Sequence, residues 1–338
     1  MANNNILGIQ KLGFQWQAED PFLVTMHHKD DYPPGNEKQG LNASLEGRNL
    51  GEDFALKDGF RMYHGTTVPG FPAHPHCGFE TVTLVVEGFV DHFDSTGAAG
   101  RYGNGDVQWL TTGEGCQHSE MFPLIHQDRE NPLELFQIWL NLASKNKFAE
   151  PEFKMLWAED NPEIQSINSE GAKTTVKLVA GNLQGKNSLE STKSSWANDR
   201  NHHVGIYLIR MEPKANFTLP AVSATLNRNL YYYEGNEIRI DGTLIGDSHR
   251  VKLMGDQDIE ITNGTKDAYM LVLEGEPINE PVAQYGPFVM NTEQEIHDAF
   301  NEYRRTQFGG WEWGSFEHVN ERGAGRFARH SDGRVEKR

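Results

Sequence analysis

Apolar residues recur along this chain in short runs with a period of two, cut by glycines and prolines. Thr81-Val-Thr-Leu-Val-Val86 and Leu135-Phe-Gln-Ile-Trp-Leu-Asn-Leu142 are such runs. Residues two apart in a strand share a face, so the pattern predicts strands with one side in a core. From Phe71 to Leu142 the runs are punctuated by Gly88, Gly97, Gly100, Gly103, Gly105, Gly113 and Gly115, the mark of a hairpin-rich barrel. A second set follows at Thr175–Gly181, His203–Met211, Leu230–Glu234, Ile238–Gly242 and Ala268–Gly275, enough for a second barrel of similar size. One stretch changes period. Asn291-Thr292 can cap the run Glu293–Arg305, whose acidic start and arginine end suit a helix dipole and whose Ile296, Phe300 and Tyr303 share a face.

These elements predict an all-β chain of two tandem β-barrels with a C-terminal helix and an extended tail. Residues 1–145 form the first barrel, with Ile6–Trp16 as an edge strand, and the polar segment 146–174 is the crossover. The second barrel takes 175–290, the helix 291–308. The tail, 309–338, is aromatic and basic. Its Trp311, Trp313, Phe316 and Phe327 need burial on the body or on another subunit; a free basic tail is the alternative. Residues 32–58, rich in Gly, Asn and charge, read as a long loop.

Composition narrows the partners. A length of 338 residues suits two domains, and 34 glycines with 37% hydrophobic content suit a turn-rich β protein. The formal charge of −17, from 31 basic and 48 acidic residues, disfavours nonspecific nucleic-acid binding. Two cysteines, Cys77 and Cys116, are too few for a disulfide framework. The start Ala-Asn-Asn-Asn is polar, and no stretch approaches the roughly 18–20 apolar residues of a membrane span. The expectation is a soluble, cytoplasmic monomer or dimer without direct nucleic-acid or membrane partners.

The chemistry concentrates in two short segments, Gly70-Phe-Pro-Ala-His74-Pro-His76 and Cys116-Gln-His118-Ser-Glu120. In strands, His74 and His76 share a face, and so do His118 and Glu120. If the two strands are neighbours in the barrel, three imidazoles and one carboxylate converge. That donor set suits one divalent first-row metal with open positions. The second barrel has no histidine or carboxylate at the corresponding place, Phe217–Ala221, so one metal per chain is expected. Other histidines fit the site less well. His27 and His28 are adjacent and point to opposite faces, as do His202 and His203. His64 reads as structural or as part of a pocket rim, and His92 and His126 lie near turns. Strand parity points Cys116 toward the cavity and Cys77 away, so two free thiols are expected, with Cys77 the faster to alkylate.

The segments HPHCGFETVTLVVEG, GDVQWLTTGEGCQHSEM and GEPINEPVAQYGPFVMNT resemble the signatures of the pirin family, a branch of the cupins, and the similarity runs from Asp20 to about Phe308. The resemblance implies two tandem cupin (jelly-roll-like) barrels with one metal in the first. It assigns the ligands to His74, His76, His118 and Glu120. A general cupin pattern would put the carboxylate at Glu80 instead; the pirin pattern leaves Glu80 behind the ligands. The resemblance further implies an oxidoreductase of the quercetin 2,3-dioxygenase type, acting with O2 on a flavonol-like or enolisable aromatic small molecule. The metal would be Fe(II), with Zn, Ni, Mn or Cu as alternatives, and Glu120 would accept the substrate's proton as the catalytic group. The rival reading from the same family is a metal-containing regulatory or redox-sensing protein that binds protein partners. One departure stands out: relatives carry arginine where this chain has Cys77.

Overall fold

The computed structural model describes residues 5–338, which form strands throughout, short 3-10 turns, and one α-helix, Glu293–Thr306. The chain divides into two compact units that interleave along the sequence. One combines the residues up to Met26 with Glu159–Asn279, the other His27–Ala158 with Glu280–Arg338.

The first of these is the C-terminal barrel. A seven-stranded antiparallel sheet carries its strands in the order Ile6–Lys11, His249–Leu253, Asn227–Glu234, Ala268–Gly275, Gly205–Met211, Lys173–Ala180 and Glu163–Ile167. A four-stranded sheet, Asn216–Leu219, Ile259–Asn263, Glu237–Ile240 and Thr243–Gly246, supplies the other wall. Leu178, Ile209, Leu230, Ile240, Val251, Ile261 and Val272 fill the space between. The strand Ile6–Lys11 departs from expectation. It was expected at the edge of the first barrel; instead it pairs with His249–Leu253, and Ile6 packs against this second core. Alternation identifies a strand but not its partner, and His249–Leu253 offered an open edge.

The other unit holds the N-terminal barrel. One sheet orders Glu152–Leu156, Val107–Thr111, Phe79–Glu87, Asn131–Asn141 and the part of Phe22–Tyr32 from His27 onward. The facing sheet orders Val335–Lys337, Phe327–Arg329, Ala99–Gly103, Phe89–Asp94, Cys116–Met121 and Gly70–His76. The polar segment read as a crossover therefore contributes an edge strand to each barrel, Glu152–Leu156 here and Glu163–Ile167 in the other.

The tail is bound, and it crosses the outside of the facing sheet. The Phe316 carbonyl accepts from Ala73 N at one edge, and Phe327–Arg329 pairs with Ala99–Arg101 at the other. Between them Trp313 packs on Phe93, and its indole donates to the Asp94 carbonyl. The buried Arg101 guanidinium holds Asp91 through two bonds of 2.7 and 2.8 Å. Its remaining donors reach the carbonyls of Asn320, Glu321 and Arg322 and the side-chain oxygen of Gln39.

The helix forms where the sequence places it. Thr292 and Glu295 complete a reciprocal capping box, which satisfies amides that the first turn would leave open. Its buried residues and the strand Phe288–Met290 enclose Cys77. Lys147, fully buried, ties this segment to the turn after His76. Its Nζ donates to Gly78 O (2.9 Å), Val289 O (3.0 Å) and Asn141 Oδ1 (2.8 Å). Gly78 sits at φ +84°, and a Cβ there would collide with the Val289 carbonyl, so glycine is required.

Candidate metal centre

The register of two neighbouring strands assembles the site. Gly70–His76 and Cys116–Met121 run antiparallel with His74 opposite His118. A bulge between Phe71 and His74 shifts the register there, the kind of irregularity that re-aims side chains. The i, i+2 relation then puts His76 on the same face as His74. The three ring centroids are 4.6, 4.7 and 4.8 Å apart, and one ligand atom from each ring lies within 4.8 Å of the others.

The hydrogen bonds identify which nitrogens face inward. His74 Nδ1 lies 2.8 Å from Pro72 O; a carbonyl only accepts, so the proton sits on Nδ1 and Nε2 presents a lone pair. His74 Nε2 is 3.0 Å from His76 Nε2. Both nitrogens of His118 are buried without a hydrogen-bond partner among the described residues, whereas His76 Nδ1 lies on the far side of its ring, toward Pro287. Buried polar atoms are otherwise paired in native structures, so the His118 ring, with one nitrogen close to a nitrogen of His74 and of His76, calls for a cation between the three. Burial, and then the neighbouring imidazoles, hold His74 down to about 4 and His76 and His118 well below the usual histidine range. Neutral rings are the ligand form. The donor set fits a divalent transition metal.

Glu120 stands beside the triad, its Oε2 3.8 Å from His118 Nε2. Both sheets hold it, Thr83 and Gln137 from the opposite one and Tyr102 from its own. Thr83 Oγ1 is 2.8 Å from Oε1, Gln137 Nε2 donates to Oε2 at 2.8 Å, and the Tyr102 hydroxyl is 3.5 Å from Oε1. Thr83 Oγ1 also lies 2.5 Å from Gln137 Oε1. One hydroxyl proton thus faces two acceptors. Burial pushes this carboxyl's pKa up, against the pull of Thr83 and His92.

Several groups around the site were not singled out by sequence. His92 lies across from Glu120 in register, and its ring is 5.5 Å from His118. It is fixed between Asp94 Oδ2 (3.0 Å) and the Gln108 amide (2.8 Å). Gln137 had a readable signal, a polar residue within the apolar run Leu135–Leu140. Thr83, Tyr102 and His92 had none, because their role depends on which strands face each other. Trp139 lies 5.5 Å from His76, its indole nitrogen buried without a partner among the described residues.

Other expectations fall in different places. The Glu80 carboxylate accepts from Trp109 Nε1 and Thr111 Oγ1. His28 is buried on Tyr63, while His27 is half-buried against Glu134. His64 is exposed at the rim, and its Nδ1 is 2.6 Å from Gly51 O. Both thiols are free and buried. Helix residues and Phe288 cover Cys77, and burial pushes its pKa up to about 12 and that of Cys116 well above the usual thiol range.

Two family models match the chain, one described as Pirin over residues 35–140, the other as the pirin C-terminal cupin domain over 206–309. A pirin-like protein of Solanum lycopersicum is 36% identical over 239 residues, covering 70% of this chain and 75% of the relative. Human pirin is 32% identical over 269 residues, covering 78% and 84%. A crystal structure of a quercetin 2,3-dioxygenase from Acinetobacter baumannii superposes with a TM-score of 0.70 at 25% identity, covering 90% of this chain and 98% of that one.

Proposed function

Since the chain belongs to the pirin family of two-barrel cupins, we propose that it is a metal-dependent dioxygenase of the quercetin 2,3-dioxygenase type, opening the heterocyclic ring of a flavonol-like substrate with O2. The observation that carries this reading is the convergence of one nitrogen from each of His74, His76 and His118 within 4.8 Å of one another. His74, His76 and His118 would hold Fe(II), with Glu120 as a fourth ligand or as its neighbour. When bound, such a metal supplies a Lewis acid that polarises substrate oxygens and a redox centre for O2.

The chain's own residues supply the rest. Glu120 takes the flavonol hydroxyl proton. Its raised pKa makes it a better base once ionised than an exposed carboxylate, in keeping with the pKa matching that general bases need. Gln137, Thr83 and Tyr102 fix its orientation, so that little is lost in ordering it when substrate arrives. The buried His76 and His118 keep water from the far side of the triad, which leaves the half-exposed His74 as the side of approach. The test is spectroscopic: iron-loaded protein mixed with quercetin in air should consume the flavonol absorbance catalytically, and apoprotein should not.

A further inference from the structure

Of the three imidazoles, His76 and His118 are buried and His74 is half-exposed, so a substrate reaches the triad past His74. The rings standing there are Phe71, on the His74 strand itself, and Phe54 and His64, from the loop before it. Phe71 lies 6.3 Å from His74 between ring centroids. His64 lies 5.8 Å from Phe71, and Phe54 lies 4.9 Å from His64 and 6.4 Å from Phe71. Phe54 and Phe71 are half-buried, each with one side on the barrel core, and His64 is exposed.

This loop is not slack. Asp53 and Tyr63 exchange backbone hydrogen bonds of 2.8 and 2.9 Å across it. Arg48 is buried against Asp53 at 2.8 Å, with its guanidinium 3.8 Å from the Phe60 ring centroid. Gly51 O fixes the His64 ring at 2.6 Å. That carbonyl can only accept, so Nδ1 carries the proton, and Nε2 of the neutral ring offers a lone pair.

We propose that Phe54, His64 and Phe71 form an aromatic collar that selects planar phenolic substrates for the metal centre, the two phenylalanines meeting the ring system and His64 Nε2 accepting from a phenolic hydroxyl. The proposal rests on the dioxygenase reading for the identity of the reaction, but its binding claim stands separately. Rings held in place before substrate arrives recognise a flat aromatic at low ordering cost.

The experiment uses full-length Phe54→Ala, His64→Ala and His64→Phe. Quercetin binding is measured by fluorescence quenching on zinc-loaded protein, turnover on iron-loaded protein, and metal content on both. Phe54→Ala should weaken quercetin binding about tenfold, the scale of one aromatic contact. KM should rise in step, with kcat within about twofold and metal content at the wild-type level. His64→Phe keeps a ring and loses the acceptor, so it should weaken quercetin about as much as His64→Ala does. Turnover with unchanged KM and affinity in Phe54→Ala and both His64 variants overturns the collar and leaves the dioxygenase reading standing. Binding that weakens as expected without turnover in the wild type supports the collar and overturns the reaction. No quercetin binding by wild-type protein overturns both.

Discussion

At the residue scale, individual nitrogens rather than whole side chains define the site. An H-x-H motif says that two imidazoles share a face; it does not say which atoms point inward. Pro72 O fixes the His74 tautomer and leaves its Nε2 facing His76 Nε2, 3.0 Å away. His118→Ala should therefore abolish tight metal binding, read by elemental analysis, while the far-ultraviolet spectrum stays native. Glu120→Gln keeps the three imidazoles and the Thr83 and Gln137 contacts. It should retain metal but lower kcat by about two to four orders of magnitude, the usual contribution of a general base.

The same histidines make the apoprotein acid-sensitive. His74 titrates near 4 and His28 near 3 in the fold, because burial opposes their charged forms, and His76 and His118 are lowered as well. The unfolded chain takes up protons near 6.5, so between there and about 4 it binds more protons than the native state. Stability of the apoprotein should then fall as pH is lowered from 6.5 to 4. Glu120 and Asp30, raised in the fold by burial, act in the opposite sense, but two carboxyls oppose four imidazoles. Urea midpoints across this range check the sign; a midpoint that rose on acidification would contradict it.

At the element scale, the tail and the interleaved strands show where sequence reading stops. Alternation located the strands of both barrels, and the capping pattern located the helix at Glu293–Thr306. Pairing was not legible. Nothing in Ile6–Lys11 names His249–Leu253 as its partner, and nothing in Phe327–Arg329 names Ala99–Arg101. Strand partners are set by which edges remain open after the barrel closes, a property of the assembled unit. The tail's aromatic residues did signal that it must be covered. The reason for its course lies in Arg101, whose donors the Asn320–Arg322 carbonyls complete. Arg101→Met leaves Asp91 ionised and buried with only the Asn320 amide on its Oδ2. It should cost about 3–5 kcal/mol in chemical denaturation, the scale for stranding one member of a buried ion pair.

At the scale of the whole molecule, the fold places all three imidazoles of the candidate site, and the residues that hold Glu120, within one compact unit. The convergence of the three imidazoles was readable because two strands with period two carry them. The environment that sets Glu120's protonation was not, because Thr83, Tyr102 and Gln137 come from three separate strands. Among the described residues, no helix is long and apolar enough to cross a membrane. The proposed reaction is ring opening by O2 at the His74–His76–His118 centre. The direct measurement is gas analysis of iron-loaded protein turning over quercetin in air. The account predicts one carbon monoxide released per quercetin and per O2 consumed, with none from His118→Ala. Quercetin loss without carbon monoxide, or equal carbon monoxide from His118→Ala, would contradict it.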